Sequence, residues 1–142
     1  MDRMPSVSRR VKTIRRGASA VEFAIVAPIF FMVVLGIIEF GRMSMVQQII
    51  TNAAREGARV GVLDGSTYAS VDAKVQQYLS AAAIKGAKVS VTPNPPSSAG
   101  FDEPVTVSVA IPFDDVSWLP APFFIKKTTL TANAVMRRET VE

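Results

Sequence analysis

The chain has 142 residues, 49% of them hydrophobic, a formal net charge of +4, and neither Cys nor His. That length accommodates one small domain and an anchor, not two packed cores. Without thiols or imidazoles the chain can form no disulfide, Cys nucleophile or His base and almost no Zn, Cu or haem site, which leaves only carboxylate, hydroxyl and Lys chemistry.

The positive charge is unevenly placed. Arg3, Arg9, Arg10, Lys12, Arg15 and Arg16 crowd the first 17 residues against the single acid Asp2, and the remainder of the chain is close to neutral. A basic tail beside an apolar run orients a protein in a membrane, and nucleic acid is not an expected partner.

From Ala18 to Ile38 the only charge is Glu22. The uncharged stretch between Glu22 and Glu39 rises about 24 Å as a helix, and the small residues before Glu22 extend it to the roughly 30 Å of a bilayer core. Lys and Arg ahead of this span place the N-terminus in the cytoplasm and the rest outside. Ala18-Ser19-Ala20 has the small-x-small pattern of a secretory cleavage site, yet it precedes the apolar core rather than following it, so the segment reads as an uncleaved anchor.

Beyond Ile38 the helical period continues. Phe40, Met43, Val46, Ile50, Ala54 and Ala58 recur at three- and four-residue steps, and Glu39 with Arg42 and Glu56 with Arg59 are i,i+3 pairs, so the helix is expected to reach about Val62. Leu63 to Thr67 reads as a turn with a hydroxyl cap. A second helix follows, with Val71, Val75, Tyr78, Leu79 and Ala82 on one face and Gly86 as its end.

The period then changes to two. Val89 and Val91, Val105 to Ile111, and Leu130 to Met136 alternate with polar or small residues, predicting three strands of an antiparallel sheet with one face on the helices. Pro93 to Gly100 and Trp118 to Phe124, the latter with Pro120 and Pro122, read as loops. The expected fold is α+β and pilin-like: a long transmembrane helix extending into solvent, a short helix and a small sheet. The expected division is a basic cytoplasmic leader at 1–17, the long helix at 18–62 and an extracytoplasmic α+β domain at 63–142.

Glu22 is the most informative position. A carboxylate at the centre of a membrane helix costs about 2.5–3.5 kcal/mol, less near the interface, so it calls for a partner. One reading is an interfacial Glu that snorkels or pairs with Arg15 or Arg16; the other is a recognition group. Pro28 removes one helical hydrogen bond, either as a tolerated bend or as a point where the helix melts when the subunit leaves the bilayer. Gly36 and Gly41 are five apart and make no GxxxG face.

The string Arg15-Arg16-Gly17-Ala18-Ser19-Ala20-Val21-Glu22-Phe23, running into an apolar helix, resembles the processing site of type IV prepilins and, more closely, the TadE-like minor pilins of tight-adherence (Flp-type) pilus systems. Glu22 to Pro28, Gly36 to Arg42, Ala53 to Arg59 and the closing Ala132 to Glu139 extend the resemblance. It implies cleavage by a prepilin peptidase between Gly17 and Ala18, with Glu22 and Phe23 serving assembly and recognition. Glu22 would become the fifth mature residue, placed to neutralise an α-ammonium on its own or a neighbouring subunit. The implied partners are the membrane, the peptidase, other pilin or pseudopilin subunits and the pilus assembly machinery.

Elsewhere the chemistry is sparse. Arg55-Glu56-Gly57-Ala58-Arg59 is either an interaction surface or, as is usual for helix charges, a solvated face. Asp102-Glu103 and Asp114-Asp115 are the only acidic clusters that could attract a hard cation, and loop polarity explains them better; no metal or other cofactor is expected. Trp118, Phe123 and Phe124 are expected to cap the sheet core, the alternative being docking on a partner or a membrane surface. No phosphate loop, metal motif or nucleophile elbow occurs, so an enzyme is not expected. The leading function is a structural or assembly protein; the alternative is a membrane-anchored extracytoplasmic binding or sensor module with no pilus role.

Overall fold

A computed structural model describes residues 10–119, 125 and 127–139, with side chains from residue 17 onward. Helix α1 runs Arg10–Gly61, followed by α2 at Tyr68–Ala81 and strands β1 Lys88–Thr92, β2 Pro104–Pro112 and β3 Thr129–Arg137. The long apolar helix, short helix and three-stranded antiparallel sheet make the α+β class expected from the sequence. Two compact units divide the chain, Met1–Ile38 and Glu39–Glu142.

In the first unit every described residue from 17 on is helical, and its apolar side chains turn outward. Val21, Phe23, Ile25, Val26, Ile29, Phe30, Phe31, Met32, Val33 and Ile37 are all more than half exposed. Nothing in water stabilises such a surface, whereas a bilayer does. The helix begins at Arg10 and so extends back into the segment read as leader. Leader residues 1–9 and the side chains of Arg10 to Arg16 lie outside the described residues.

The second unit holds the core. Val46, Ile50, Ala53, Ala54 and Ala58 of α1 are fully buried, as are Val71, Val75 and Leu79 of α2 and Val105, Val107, Val109 and Ile111 of β2. Each fully buried Val, Leu, Ile or Phe contributes about 1.5–3 kcal/mol, so this stripe and sheet face account for most of the stability of the unit. Phe113, also fully buried, closes the core beyond β2.

Phe40 departs from the expected stripe. It is 62% exposed, while Glu39 and Arg42 are 1% and 9% exposed. The reason is angular: Glu39 lies seven residues and Arg42 four before Val46, which brings both close to the core face at 100° per residue, whereas Phe40 falls well off it.

Thr67 caps α2 through a reciprocal box in which its side chain accepts from the Ser70 amide at 3.2 Å and the Ser70 hydroxyl accepts from the Thr67 amide at 3.0 Å. The helix ends at Ala81, short of the expected Gly86. Ala83 takes a φ of +56°, and the Ile84 amide returns to the Leu79 carbonyl at 2.9 Å, which turns Ile84 into the core. Burial of Ile84 at 2% exposed drives this early stop.

The sheet is a meander of order β1-β2-β3. Rungs Val91–Val107–Ala134 and Val89–Val109–Ala132 face the helices, and the intervening rung Ser90–Ser108–Asn133 faces away. At the β3 edge the Gln47 amide donates to the Thr131 carbonyl at 3.0 Å. At the opposite end of the unit, Arg138 donates to the carbonyls of Ser97 at 2.6 Å and Ala99 at 3.1 Å and to Asp64 at 2.8 Å, tying the Pro-rich loop to the end of β3.

Candidate functional site

The five residues singled out in the N-terminal segment all lie on α1. Gly17 is exposed, and a Cβ there would meet nothing within 4 Å. Glycine is therefore not required at this position by packing, although it weakens a helix by about 0.8–1 kcal/mol relative to Ala. Glu22 is exposed and follows Ala18 by four residues, so the two share one face of the helix. Phe23, beside it, is 72% exposed. The suggested pairing of Glu22 with Arg15 or Arg16 falls on side chains outside the described residues.

Pro28 sits inside α1, which continues unbroken past it. Having no N–H, it leaves the Ala24 carbonyl without its helical donor. The segment therefore combines a helix-weakening Gly17, an acid one turn after Ala18, an apolar outward surface and one missing backbone bond.

Other sequence candidates resolve as structure. Glu56 and Arg59 form the expected i,i+3 pair at 2.8 Å on the solvent side, and the pairing holds the Glu56 carboxyl below the usual carboxylate range. Gly57 and Ala58, between them, face inward. Asp102 pairs with Arg137 at 2.9 Å, and Glu103 accepts from the Gly100 amide at 2.7 Å. Asp114 and Asp115 lie in an exposed 3-10 turn. Among the described residues no three or more carboxylates converge as a metal site. An open groove of about 350 Å³ is lined by Gln47, Gln48, Thr51, Asn52 and Arg55, a set of amides, hydroxyl and guanidinium.

Trp118 does not cap the core: it is 65% exposed. The Arg42 guanidinium lies 4.8 Å from its ring centroid, and Arg42 Nε donates to the Val116 carbonyl at 2.8 Å. Sequence reading missed this cluster because Arg42 looked like the surface partner of Glu39. Pro120, Pro122, Phe123 and Phe124 lie outside the described residues.

Among the described residues, one helix is long and apolar enough to cross a membrane, with a mean hydropathy of 2.6 in its most apolar window. Its position near the N-terminus, ahead of an α+β unit, defines a single-pass membrane protein. Residues 17–59, about a third of the chain, match the family model described as TadE-like protein, and that segment is similar to the family. No curated protein and no solved structure matches the chain. The closing Ala132 to Glu139 echo falls beyond the matched segment, and its Arg138 is engaged in holding the Pro-rich loop.

Proposed function

We propose that this protein is a minor pseudopilin of the bacterial inner membrane that acts in assembly of a tight-adherence pilus, its N-terminus cytoplasmic and its α+β unit outside. The observation that carries this reading is the family-matched helix itself, whose large apolar side chains from Val21 to Val33 and at Ile37 lie more than half exposed and which has Glu22 one turn from Ala18. Helix packing does the work, and no reaction is catalysed. Partners are other pilin or pseudopilin subunits, the assembly machinery and a prepilin peptidase that cuts between Gly17 and Ala18.

Cleavage requires the Gly17–Ala18 bond to leave the helix, since a peptidase binds its substrate backbone in extended form. Glycine lowers the cost of opening and lets the enzyme approach the chain closely. Removal of the leader creates an α-ammonium on Ala18 within one turn of Glu22, and their attraction in a low-dielectric medium sets the register of neighbouring helices.

The decisive experiment is intact-mass analysis and N-terminal sequencing of protein extracted from membranes of a strain with an active prepilin peptidase. A terminus at Ala18, lost in Gly17→Ala, is expected; a terminus at Met1 rejects processing. Glu22→Ala is expected to abolish piliation at normal membrane levels, and unchanged piliation rules out the pairing role. Replacing residues 15–23 by part of an unrelated membrane helix separates this function from that of a tethered binding module, which would survive the exchange.

A further inference from the structure

Trp118 is the only Trp in the chain, and it stands largely uncovered, whereas Phe113, five residues earlier, is fully buried. It is nonetheless held. The guanidinium of Arg42 stacks 4.8 Å from the ring centroid and also binds the carbonyl of Val116, two residues earlier. With only 9% of Arg42 exposed, one nearly buried cation fixes both the indole and the backbone behind it.

The place of this pair in the chain gives it a surface to meet. Arg42 follows Ile38, the last residue of the apolar run, by four positions. A helical chain rises about 6 Å over that interval, and even an extended one reaches no more than about 14 Å. The headgroup region beyond a 30 Å hydrocarbon core is about 5–8 Å deep on each side. Phe40, between Ile38 and Arg42, is itself a large apolar side chain and is 62% exposed. An indole, with an apolar body and one N–H donor, is favoured at that depth.

Resting on the reading of α1 as a membrane span, we propose that Trp118, positioned by Arg42, docks the C-terminal unit onto the phospholipid headgroup layer where the helix leaves the bilayer. The docking group is the exposed indole, and its occupant is the glycerol and headgroup region of the lipid. Asp102 and Phe101 belong to the other end of the unit, because the two ends of β2 lie about 27 Å apart, with Phe101 before Pro104 and Trp118 after Pro112.

The single Trp makes the test direct. Full-length protein is reconstituted in phosphatidylcholine–phosphatidylglycerol vesicles whose acyl chains are brominated either near the glycerol end or near the methyl end. Trp118 emission is expected to be blue-shifted and quenched more strongly by the shallow bromines than by the deep ones. The double variant Trp118→Phe, Phe101→Trp, which moves the fluorophore to a residue 76% exposed at the distal end, is expected to lose that quenching and to respond to aqueous acrylamide. Protein that fails to float with the vesicles overturns the membrane span and the docking together. Protein that floats but is unquenched, or is quenched equally in the double variant, overturns the docking alone. So does a blue shift that vanishes as the protein-to-lipid ratio is lowered, since that assigns the indole to a second copy of the chain.

Discussion

Gly57 of α1 sits directly against Val75 of α2: a Cβ on Gly57 would lie 2.6 Å from Val75 Cγ2 and 3.2 Å from Val107 Cγ1. Helix, helix and sheet meet at this point, and only a hydrogen in place of a side chain lets them do so. Val75 is β-branched and cannot swing away cheaply.

Gly57→Ala is accordingly expected to destabilise the C-terminal unit. Overpacking costs about 1–3 kcal/mol, offset in part by the better helix propensity of Ala, about 1 kcal/mol. Denaturant unfolding of the detergent-solubilised protein measures the difference, and Gly57→Leu is expected to unfold the unit. An unchanged midpoint for the Leu variant contradicts the close approach. Gly41, where a Cβ meets nothing within 4 Å, is the matched control.

Thr67→Ala removes one half of the α2 capping box and exposes the Ser70 amide. The expected loss is about 0.5–2 kcal/mol, with Thr67→Ser close to neutral. Hydrogen exchange of the first turn of α2 reads the same change locally, and faster exchange confined to the amides of that turn is the expected pattern.

The ion pair of Arg138 and Asp64 is asymmetric, with side chains 10% and 79% exposed. Arg138 also satisfies the carbonyls of Ser97 and Ala99, so its loss strands buried acceptors. Arg138→Met is expected to cost about 2–4 kcal/mol and Asp64→Asn less than about 1. Equal effects in thermal unfolding would show that the pair, rather than the two carbonyls, is what matters.

Acid dependence follows from Glu56. Its carboxyl is held below the usual range chiefly by the hydrogen bond from Arg59. A group with a depressed folded-state value stabilises the fold above the ordinary carboxylate value and loses that contribution as pH falls through the depressed one. The pair faces solvent, so the contribution is small and screened by salt. The difference in Tm between wild type and Glu56→Gln is expected to shrink as pH drops below the ordinary Glu range, and also on adding salt at neutral pH.

The extent to which the sequence declares this fold depends on how local each signal is. The three strands and the inward stripe from Val46 to Ala58 follow from periods of two and 3.6, which any stretch of chain carries within itself. The N-terminal candidates Gly17, Ala18, Glu22 and Phe23 are likewise near neighbours, so their pattern is read without any tertiary contact, and their roles rest on the proposed function. Arg42 with Trp118, and Arg138 with Asp64, join distant segments; charged side chains on a periodic face gave no sign that they turn inward. Gly57 was hidden by its flanking charges, which suggested a solvated surface, and the early end of α2 is set by where Ile84 must go.

One bond at the rim of the sheet bears on what that edge can pair with. β3 is an edge strand of nine residues, and such edges invite pairing with strands of other molecules. Gln47, reaching from α1 to the Thr131 carbonyl, occupies one of the acceptors an intruding strand would need. A strand approaching this edge therefore has to displace a helix side chain at that rung before it can pair there, so the edge is not a free template along its whole length.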